Sequence, residues 1–163
     1  MKRILSAHKG FTLIEIIASM LIVGFIGMIV SMGMVQAVNG YIYAKQNTET
    51  LQKAQAAMAR IVKELNAATL ISAPNENSLQ FGSMIVYKDG NTLKLKSGTN
   101  DDILSDNIND FLLNYYEKHD SPALSSPFPT SNIKIVEIRI KMIGADNSIF
   151  TIEDRVFLRN VVN

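Results

Sequence analysis

The chain of 163 residues has no cysteine, so disulfide bonds and thiolate metal sites are excluded. A domain without disulfides must be held together by its hydrophobic core. An apolar content of 47% is sufficient for such a core. The length leaves room for one domain beyond the apolar amino-terminal segment.

Histidine is nearly as scarce, because only His119 lies outside the first ten residues. It belongs to the charged stretch EKHD at residues 117–120, where a solvated side chain is the default. A Ser-His-Asp triad needs a histidine held between a nucleophile and an acid. HExxH, P-loop and GxSxG motifs are also missing from the sequence. The sequence therefore predicts no enzyme and no cofactor.

Charge is almost missing from residues 11–38, where Glu15 is the only charged side chain. The twenty residues 16–35 carry no charge at all. As a helix they would span roughly 30 Å, the thickness of a bilayer core. Three basic residues precede them: Lys2, Arg3 and Lys9. The pattern predicts one transmembrane helix with a cytoplasmic amino terminus and a translocated remainder.

Two other interpretations of this segment stay open. A secretory signal peptide has an apolar region of about 7–15 residues, shorter than this run, although a cut after Ala37 would be acceptable. A signal anchor fits the length but gives no reason for Glu15. A carboxylate at the centre of a membrane helix costs about 2.5–3.5 kcal/mol, and less near the end. Glu15 therefore needs a compensating partner.

Residues 9–15 (KGFTLIE), followed directly by the apolar run, resemble the processing region of the type IV pilin superfamily. That family includes pilins and the pseudopilins of type II secretion and DNA-uptake machines. The resemblance implies that prepilin peptidase cuts after Gly10 and methylates the new amino terminus of Phe11. It also implies that Glu15 attracts the Phe11 ammonium of a neighbouring subunit during assembly. Two buried opposite charges would then neutralise each other.

Together the pattern and the resemblance divide the chain into four segments. They are a cleaved leader (1–10), a transmembrane and assembly helix (11–38), an amphipathic continuation of that helix (39–73) and an antiparallel sheet domain (74–163). The continuation carries an apolar stripe at alternating spacings of three and four: Leu51, Ala54, Met58, Ile61, Leu65 and Ala68. We expect the helix to extend to about Ile71 and to be closed by Pro74.

Beyond Pro74 the periodicity is that of β-strands. Residues 78–87 and 92–96 flank the turn signal KDGN, which predicts a hairpin. Residues 136–142 and 150–158 alternate between apolar and polar side chains, except that Asp154 falls on the inward phase and predicts a bulge or a bend. The predicted fold class is α+β, with a long amino-terminal helix packed on a four- to five-stranded antiparallel sheet.

Two stretches of the sheet domain read as loops. Residues 98–110 contain four aspartates, and oxygen-rich clusters can bind calcium. Their spacing fits no calcium loop, so a solvated loop is favoured and no metal is predicted. A short helix over residues 103–112 is an alternative. Residues 121–132 hold three of the four prolines and predict a surface loop. In that loop Phe128 is a candidate exposed aromatic. The loop could contact a neighbouring subunit or an exported substrate, but a plain connector is favoured.

These features predict a minor pilin or pseudopilin precursor with a structural role in the tip or initiation complex of a fibre. The ending at residues 156–160 resembles the terminal strand of J-type minor pseudopilins and W-type minor pilins. The resemblance implies three kinds of partner: other pilin or pseudopilin subunits, prepilin peptidase and an inner-membrane assembly platform. It also implies a single-pass inner-membrane protein that is later extracted into a periplasmic or extracellular fibre.

A DNA-uptake pilus subunit that contacts DNA is an alternative, but the charge opposes it. Without Lys2, Arg3 and Lys9 the chain has thirteen basic and fifteen acidic side chains. A nucleic-acid binder is expected to be strongly basic, so no nucleic acid is predicted. A membrane-anchored enzyme is disfavoured by the missing nucleophile–base pairs. A secreted protein cut after Ala37 would begin at Val38 instead of Phe11.

Overall fold

The computed structural model describes residues 10–159. The predicted leader, apart from Gly10, and the last residue of the J-type or W-type ending, Asn160, lie outside the described residues. The chain forms two compact units, Met1–Ile42 and Tyr43–Asn163.

Helix α1 spans Leu13–Ala67 and has 55 residues. It contains no proline, so nothing interrupts its backbone hydrogen bonds. The helix ends earlier than predicted, because strand β1 (Ile71–Ser72) already pairs with a neighbouring strand. Pro74 therefore lies beyond the helix and does not terminate it.

Within the second unit, one face of α1 packs into the core. Its buried residues are Thr50, Ala54, Ala57, Met58, Ile61 and Leu65. The predicted apolar stripe is confirmed, except that Leu51 is exposed. Burial of these side chains removes apolar surface from water and fixes the helix against the strands.

The first sheet is a five-stranded antiparallel meander in the order β1-β2-β3-β4-β5. Its further strands are β2 (Ser78–Phe81), β3 (Met84–Asp89), β4 (Thr92–Ser97) and β5 (Asn100–Ser105). Tight turns at Gly82, Gly90 and Gly98, with φ of 57–60°, connect these four strands. The predicted hairpin turn at Gly90 is confirmed, but the prediction of one strand over 78–87 is wrong, because the chain turns at Gly82 and these residues form β2 and the start of β3. The expected loop at 98–110 is wrong, because β5 and the first residues of the next strand, which begins at Ile108, occupy most of it. The same two strands exclude the short helix over 103–112.

The second sheet has the order β6-β7-β8, with β6 (Ile108–Tyr116), β7 (Ile135–Ile143) and β8 (Ile149–Phe157). All pairings are antiparallel. The two carboxyl-terminal strands predicted from alternation are confirmed. The bulge predicted at Asp154 is wrong, since the β7–β8 register runs unbroken from Ile135↔Phe157 to Ile143↔Ile149.

The predicted α+β class is confirmed, but the strands form two sheets instead of one sheet of four to five strands. Irregular pairing at Leu93/Lys94 and at Ile108/Asp110 marks the region where the sheets part. Such irregularities bend strands and increase their twist. Both sheets and α1 share one hydrophobic core, which includes Leu79, Val86, Leu95, Phe111, Ile138 and Ile140.

The proline-rich segment lies outside regular strands, as predicted, but Phe128 is not a freely exposed aromatic. It is half-buried and packs against Tyr115, with 4.7 Å between ring centroids. The backbone amide of Leu124 donates to the carbonyl oxygen of Tyr115 at 2.7 Å. Phe128 therefore anchors this segment to the core.

Candidate processing and assembly site

The predicted cleavage site lies just before the helix. Gly10 and Phe11 precede α1 and are both exposed, Phe11 to 82%. A side chain built at Gly10 would meet no atom within 4 Å. The packing of the chain itself therefore does not require glycine at this position. Any requirement for Gly10 would have to come from an enzyme that binds the segment.

The first turn of α1 is closed by a reciprocal cap between Thr12 and Glu15. The backbone amide and the hydroxyl of Thr12 both donate to Oε2 of Glu15, each at 2.8 Å. In return the amide of Glu15 approaches the Thr12 hydroxyl at 3.4 Å. This is a capping box, which satisfies amides that the first turn of a helix leaves without partners.

Sequence reasoning singled out Glu15 but missed Thr12. The spacing T-x-x-E at residues 12–15, directly before an apolar run, is a recognisable capping signal. In the uncut chain the nitrogen of Phe11 is an amide, not an ammonium. The pairing of Glu15 with a neighbouring Phe11 ammonium therefore stays a prediction.

The helix beyond this cap is apolar on every side. Its large side chains in the first unit are exposed all round, for example Leu21, Phe25, Ile29, Met32 and Val35. The hydroxyls of Ser19 and Ser31 donate to their own helix, at the carbonyl oxygens of Ile16 (2.9 Å) and Gly27 (2.7 Å). Among the described residues, α1 is the one helix long and apolar enough to cross a membrane. A helix that is hydrophobic all round is suited to lipid or to other helices.

The four aspartates of residues 98–110 make separate contacts. Asp102 pairs with Arg60 at 2.9 Å, Asp106 with Lys53 at 2.8 Å and Asp110 with Lys141 at 3.3 Å, while Asp101 accepts from the Tyr87 hydroxyl at 2.7 Å. The last contact raises the pKa of Tyr87. Over residues 10–159 no three histidine or acidic side chains are placed to hold a metal ion.

The second unit has one buried carboxylate, Glu137, on the outer face of the β6-β7-β8 sheet. It accepts from Arg155 at 2.7 Å and from Asn114 at 3.0 Å. Arg139 and the Tyr116 hydroxyl complete the cluster, each at 3.3 Å. Burial raises the pKa of Glu137, but the hydrogen bonds from Asn114 and Arg155 and the charge of Arg155 outweigh it, so the pKa is lowered overall. The cluster is internally satisfied, which favours a structural role.

His119 lies beside Phe157, with nearly parallel rings 6.1 Å apart. This contact is a packing interaction. It places the histidine beside an aromatic ring, and a ring offers neither the nucleophile nor the acid that a catalytic triad requires.

Residues 5–32 match the family model described as the prokaryotic N-terminal methylation motif. No curated protein and no solved structure matches the chain. The matched motif supports a type IV pilin-like prepilin, and the α+β layout with one long amino-terminal helix agrees with it. The motif marks a structural precursor of pilin type, not an enzyme family. Motif and apolar helix are consistent with a membrane-anchored pilin.

Proposed function

We propose that the chain is the precursor of a minor pilin or pseudopilin, a structural subunit of a type IV pilus or a type II secretion pseudopilus. The observation that carries the proposal is the methylation motif joined to a helix whose apolar side chains are exposed all round. Such a helix needs lipid before assembly and other helices after it. Both environments are provided by a membrane-anchored subunit that enters a fibre.

In this function prepilin peptidase cuts between Gly10 and Phe11 and methylates the new amine. The accessibility of both residues supports this step, because a protease must bind the segment in an extended form. The leader residues 1–10 are removed. Residues 11–38 then form the transmembrane and assembly helix, 39–73 its amphipathic continuation and 74–163 the sheet domain.

Glu15 has two roles in the proposed assembly. Both hydrogen bonds from Thr12 reach Oε2, so Oε1 is not used by the cap. The Phe11 ammonium of a neighbouring subunit would donate to Oε1. A carboxylate can accept several hydrogen bonds, so the cap and the intersubunit pair are compatible. Pairing with the ammonium offsets the cost of placing Glu15 in lipid.

The partners that follow are other pilin or pseudopilin subunits, prepilin peptidase and an inner-membrane assembly platform. The protein is a single-pass inner-membrane protein with its carboxyl-terminal domain outside the cytoplasm, and it acts in the tip or initiation complex. The resemblance of residues 156–160 to J-type pseudopilins and W-type pilins supports the minor-subunit assignment.

Intact-mass analysis of protein from its native host tests the processing step. We expect a mature chain that begins at Phe11 and carries one methyl group. A chain that begins at Val38 instead would show an ordinary secretory protein. A chain that retains residues 1–10 in the presence of active peptidase would also contradict the proposal.

Three variants separate the two roles of Glu15. Glu15→Gln keeps an oxygen that can cap Thr12 but removes the charge, whereas Glu15→Val removes both. Thr12→Val removes the hydroxyl of the cap and keeps the charge. We expect all three precursors to be cleaved. Both Glu15 variants should enter fibres poorly, by about tenfold or more if a charge-assisted pair of roughly 1.5–3 kcal/mol is lost.

The Thr12→Val subunit should assemble nearly as well as wild type, since the ammonium can still reach Glu15. The measurement is the ratio of fibre-bound to membrane-bound subunit on immunoblots. Normal assembly of Glu15→Gln would show that Glu15 acts as a helix cap and not through its charge.

A further inference from the structure

Strand β8 is an edge strand, and its outer edge has no strand beside it. It pairs with β7 along all nine residues, and no other strand of residues 10–159 pairs with it. Several of its apolar side chains reach solvent, among them Ile149 at 60% and Phe157 at 50% exposure. A long apolar edge of this kind is a template for pairing with another chain.

Other edges of the sheets are partly closed by the chain itself. The amide of Leu113 in β6 donates to the carbonyl oxygen of Glu76 at 2.7 Å, and the carbonyl oxygen of Tyr115 accepts from Leu124 at 2.7 Å. On edge strand β5, Asp102 pairs with Arg60 of α1. No such contact covers residues 149–154 of β8 among the described residues, whereas towards its end Val62 and Asn66 of α1 line a pocket with Val156 and Phe157.

Asp154 lies at the middle of this edge and on the wrong face for a charge. It is opposite Ile138, so it shares the inner face of the sheet with Phe150, Ile152 and Val156. Asp154 is exposed, and no cation within residues 10–159 forms an ion pair with it. It is therefore unlike Asp102, the inward acid of β5, which has Arg60.

The carboxylate of Asp154 also accepts a hydrogen bond from a backbone amide at the free edge of β8. The amide of Leu158 points towards β7, where it donates to the carbonyl oxygen of Lys134 at 2.9 Å. Because amide directions alternate along a strand, the amide of Arg155 points to the free edge. That amide donates to Oδ1 of Asp154 at 2.8 Å. A donor that an added strand would use is thus already satisfied.

A second copy of the chain cannot offer Asp154 a better partner through the same edge. Pairing that keeps inner faces together sets even-numbered residues of one β8 against even-numbered residues of the other. These are Phe150, Ile152, Asp154 and Val156 in each copy. In every such register Asp154 meets an apolar side chain or a like charge, both of which are unfavourable for a desolvated carboxylate.

We propose that Asp154 keeps the free edge of β8 from pairing with the β8 edge of a second copy. It does so by capping the Arg155 amide and by placing a charge where a paired strand would need an apolar residue. The device belongs to the second unit alone and does not depend on the proposed function.

The test compares full-length variants purified in detergent by sedimentation equilibrium. Asp154→Val should lower the dimer dissociation constant by about ten- to a hundredfold, the effect of removing one unpaired desolvated charge. Thr151→Val is the control, because it adds similar apolar character on the outer face of the same strand. It should change the dimer dissociation constant by less than about threefold. Every variant keeps the same apolar helix, so association through that helix cancels in the comparison.

Asp154→Asn divides the device into its two parts, since its amide oxygen can still accept from Arg155 while the charge is gone. We expect an intermediate dissociation constant. If Asp154→Val lowers the melting temperature, the near-isosteric Asp154→Asn variant still shows whether the charge of Asp154 opposes dimer formation. In the valine dimer, hydrogen exchange should slow at the edge amides of Thr151, Glu153 and Arg155. An unchanged dissociation constant for both Asp154 variants, an equal gain for Thr151→Val, or protection elsewhere would overturn the proposal.

Discussion

At the scale of single residues, the informative side chains are those that hold charge in a place where charge is expensive. Glu15 begins an apolar helix and is capped by Thr12. Glu137 is buried on a sheet face and receives four donors from Asn114, Tyr116 and two arginines. For Glu137, hydrogen bonds offset the desolvation of a buried carboxylate, whereas for the exposed Glu15 they close the first turn of the helix.

The Glu137 cluster predicts a pH-dependent stability. The pKa of Glu137 is lowered from an ordinary value near 4.5. A lowered folded-state pKa stabilises the protein above the unfolded value, and this contribution is lost as the pH falls through the folded value. Glu137→Gln should therefore reduce the free energy of unfolding by about 1–3 kcal/mol at pH 7. The difference from wild type should shrink below about pH 4.

Urea unfolding of the detergent-solubilised chain, at pH 7 and again below about pH 4, measures the free energy of unfolding of the Glu137→Gln variant and of wild type. Glu153→Gln is the matched control, because Glu153 pairs with Arg139 at 3.0 Å but is well exposed. An exposed pair contributes little, so that variant should resemble wild type. An equal loss at both pH values for Glu137→Gln would indicate a packing effect and not a charge effect.

At the scale of elements, the turns decide how the strands are arranged. The glycines at 82, 90 and 98 recur every eight residues and join successive strands of the first sheet by tight turns. Their positive φ values suit glycine, which has no Cβ to clash. The β7–β8 turn works differently, because Gly144 has a φ of −89° that any residue can adopt. Glycine at this position leaves room for the neighbouring side chains of Phe150, Asn47 and Ser148.

Gly144→Ala should destabilise the turn. The new methyl group would collide with the ring of Phe150 and approach Oδ1 of Asn47 to 2.6 Å. That oxygen accepts from the amide of Ala145 at 2.7 Å and ties the turn to α1. Overpacking of this kind costs about 1–3 kcal/mol. The melting temperature, followed by circular dichroism, should fall by several degrees.

A double-mutant cycle identifies the cause of that loss. Asn47→Ala removes both the hydrogen bond and one of the colliding atoms. The Gly144→Ala, Asn47→Ala double variant should therefore lose less stability than the sum of the two single variants. Strict additivity would show that Asn47 is not part of the collision.

At the scale of the whole molecule, the core lies within one of the two units. The core residues run from Ala54 to Leu158, inside the unit Tyr43–Asn163. The first unit has no buried side chain among its described residues. Its apolar surface serves an environment outside the chain, which agrees with a membrane anchor.

This division predicts that a fragment of residues 43–163 folds by itself. It should be soluble without detergent, show the β-rich circular dichroism of the two sheets and unfold cooperatively. A fragment of residues 68–163 is the matched control, since it lacks the core-facing residues of α1 and exposes the inner faces of both sheets. That control should aggregate. A disordered 43–163 fragment would show that the first unit contributes to folding.

Local sequence patterns allowed part of the fold and of the candidate site to be predicted. The methylation motif, the uncharged run and the apolar stripe of α1 are each encoded within a few turns of helix, and the hairpin at Gly90 within a few residues. The eight-residue spacing of Gly82, Gly90 and Gly98 is a further local signal, which indicates the turns from β2 to β5. Asp101 and Asp102 obscured β5, because acidic residues are uncommon in strands. Their partners, the Tyr87 hydroxyl and Arg60, come from other parts of the chain.

The sequence by itself determined the methylation motif, the long apolar amino-terminal helix, the α+β class and the phase of the last two strands. Only the tertiary structure decided that the strands divide into two sheets, that Phe128 is packed on Tyr115, and that Asp154 stands on an open edge without a bulge. The physical reason is range. A motif or a periodicity depends on neighbours along the chain, whereas the pairing of sheet edges and the burial of a side chain depend on residues far apart in sequence.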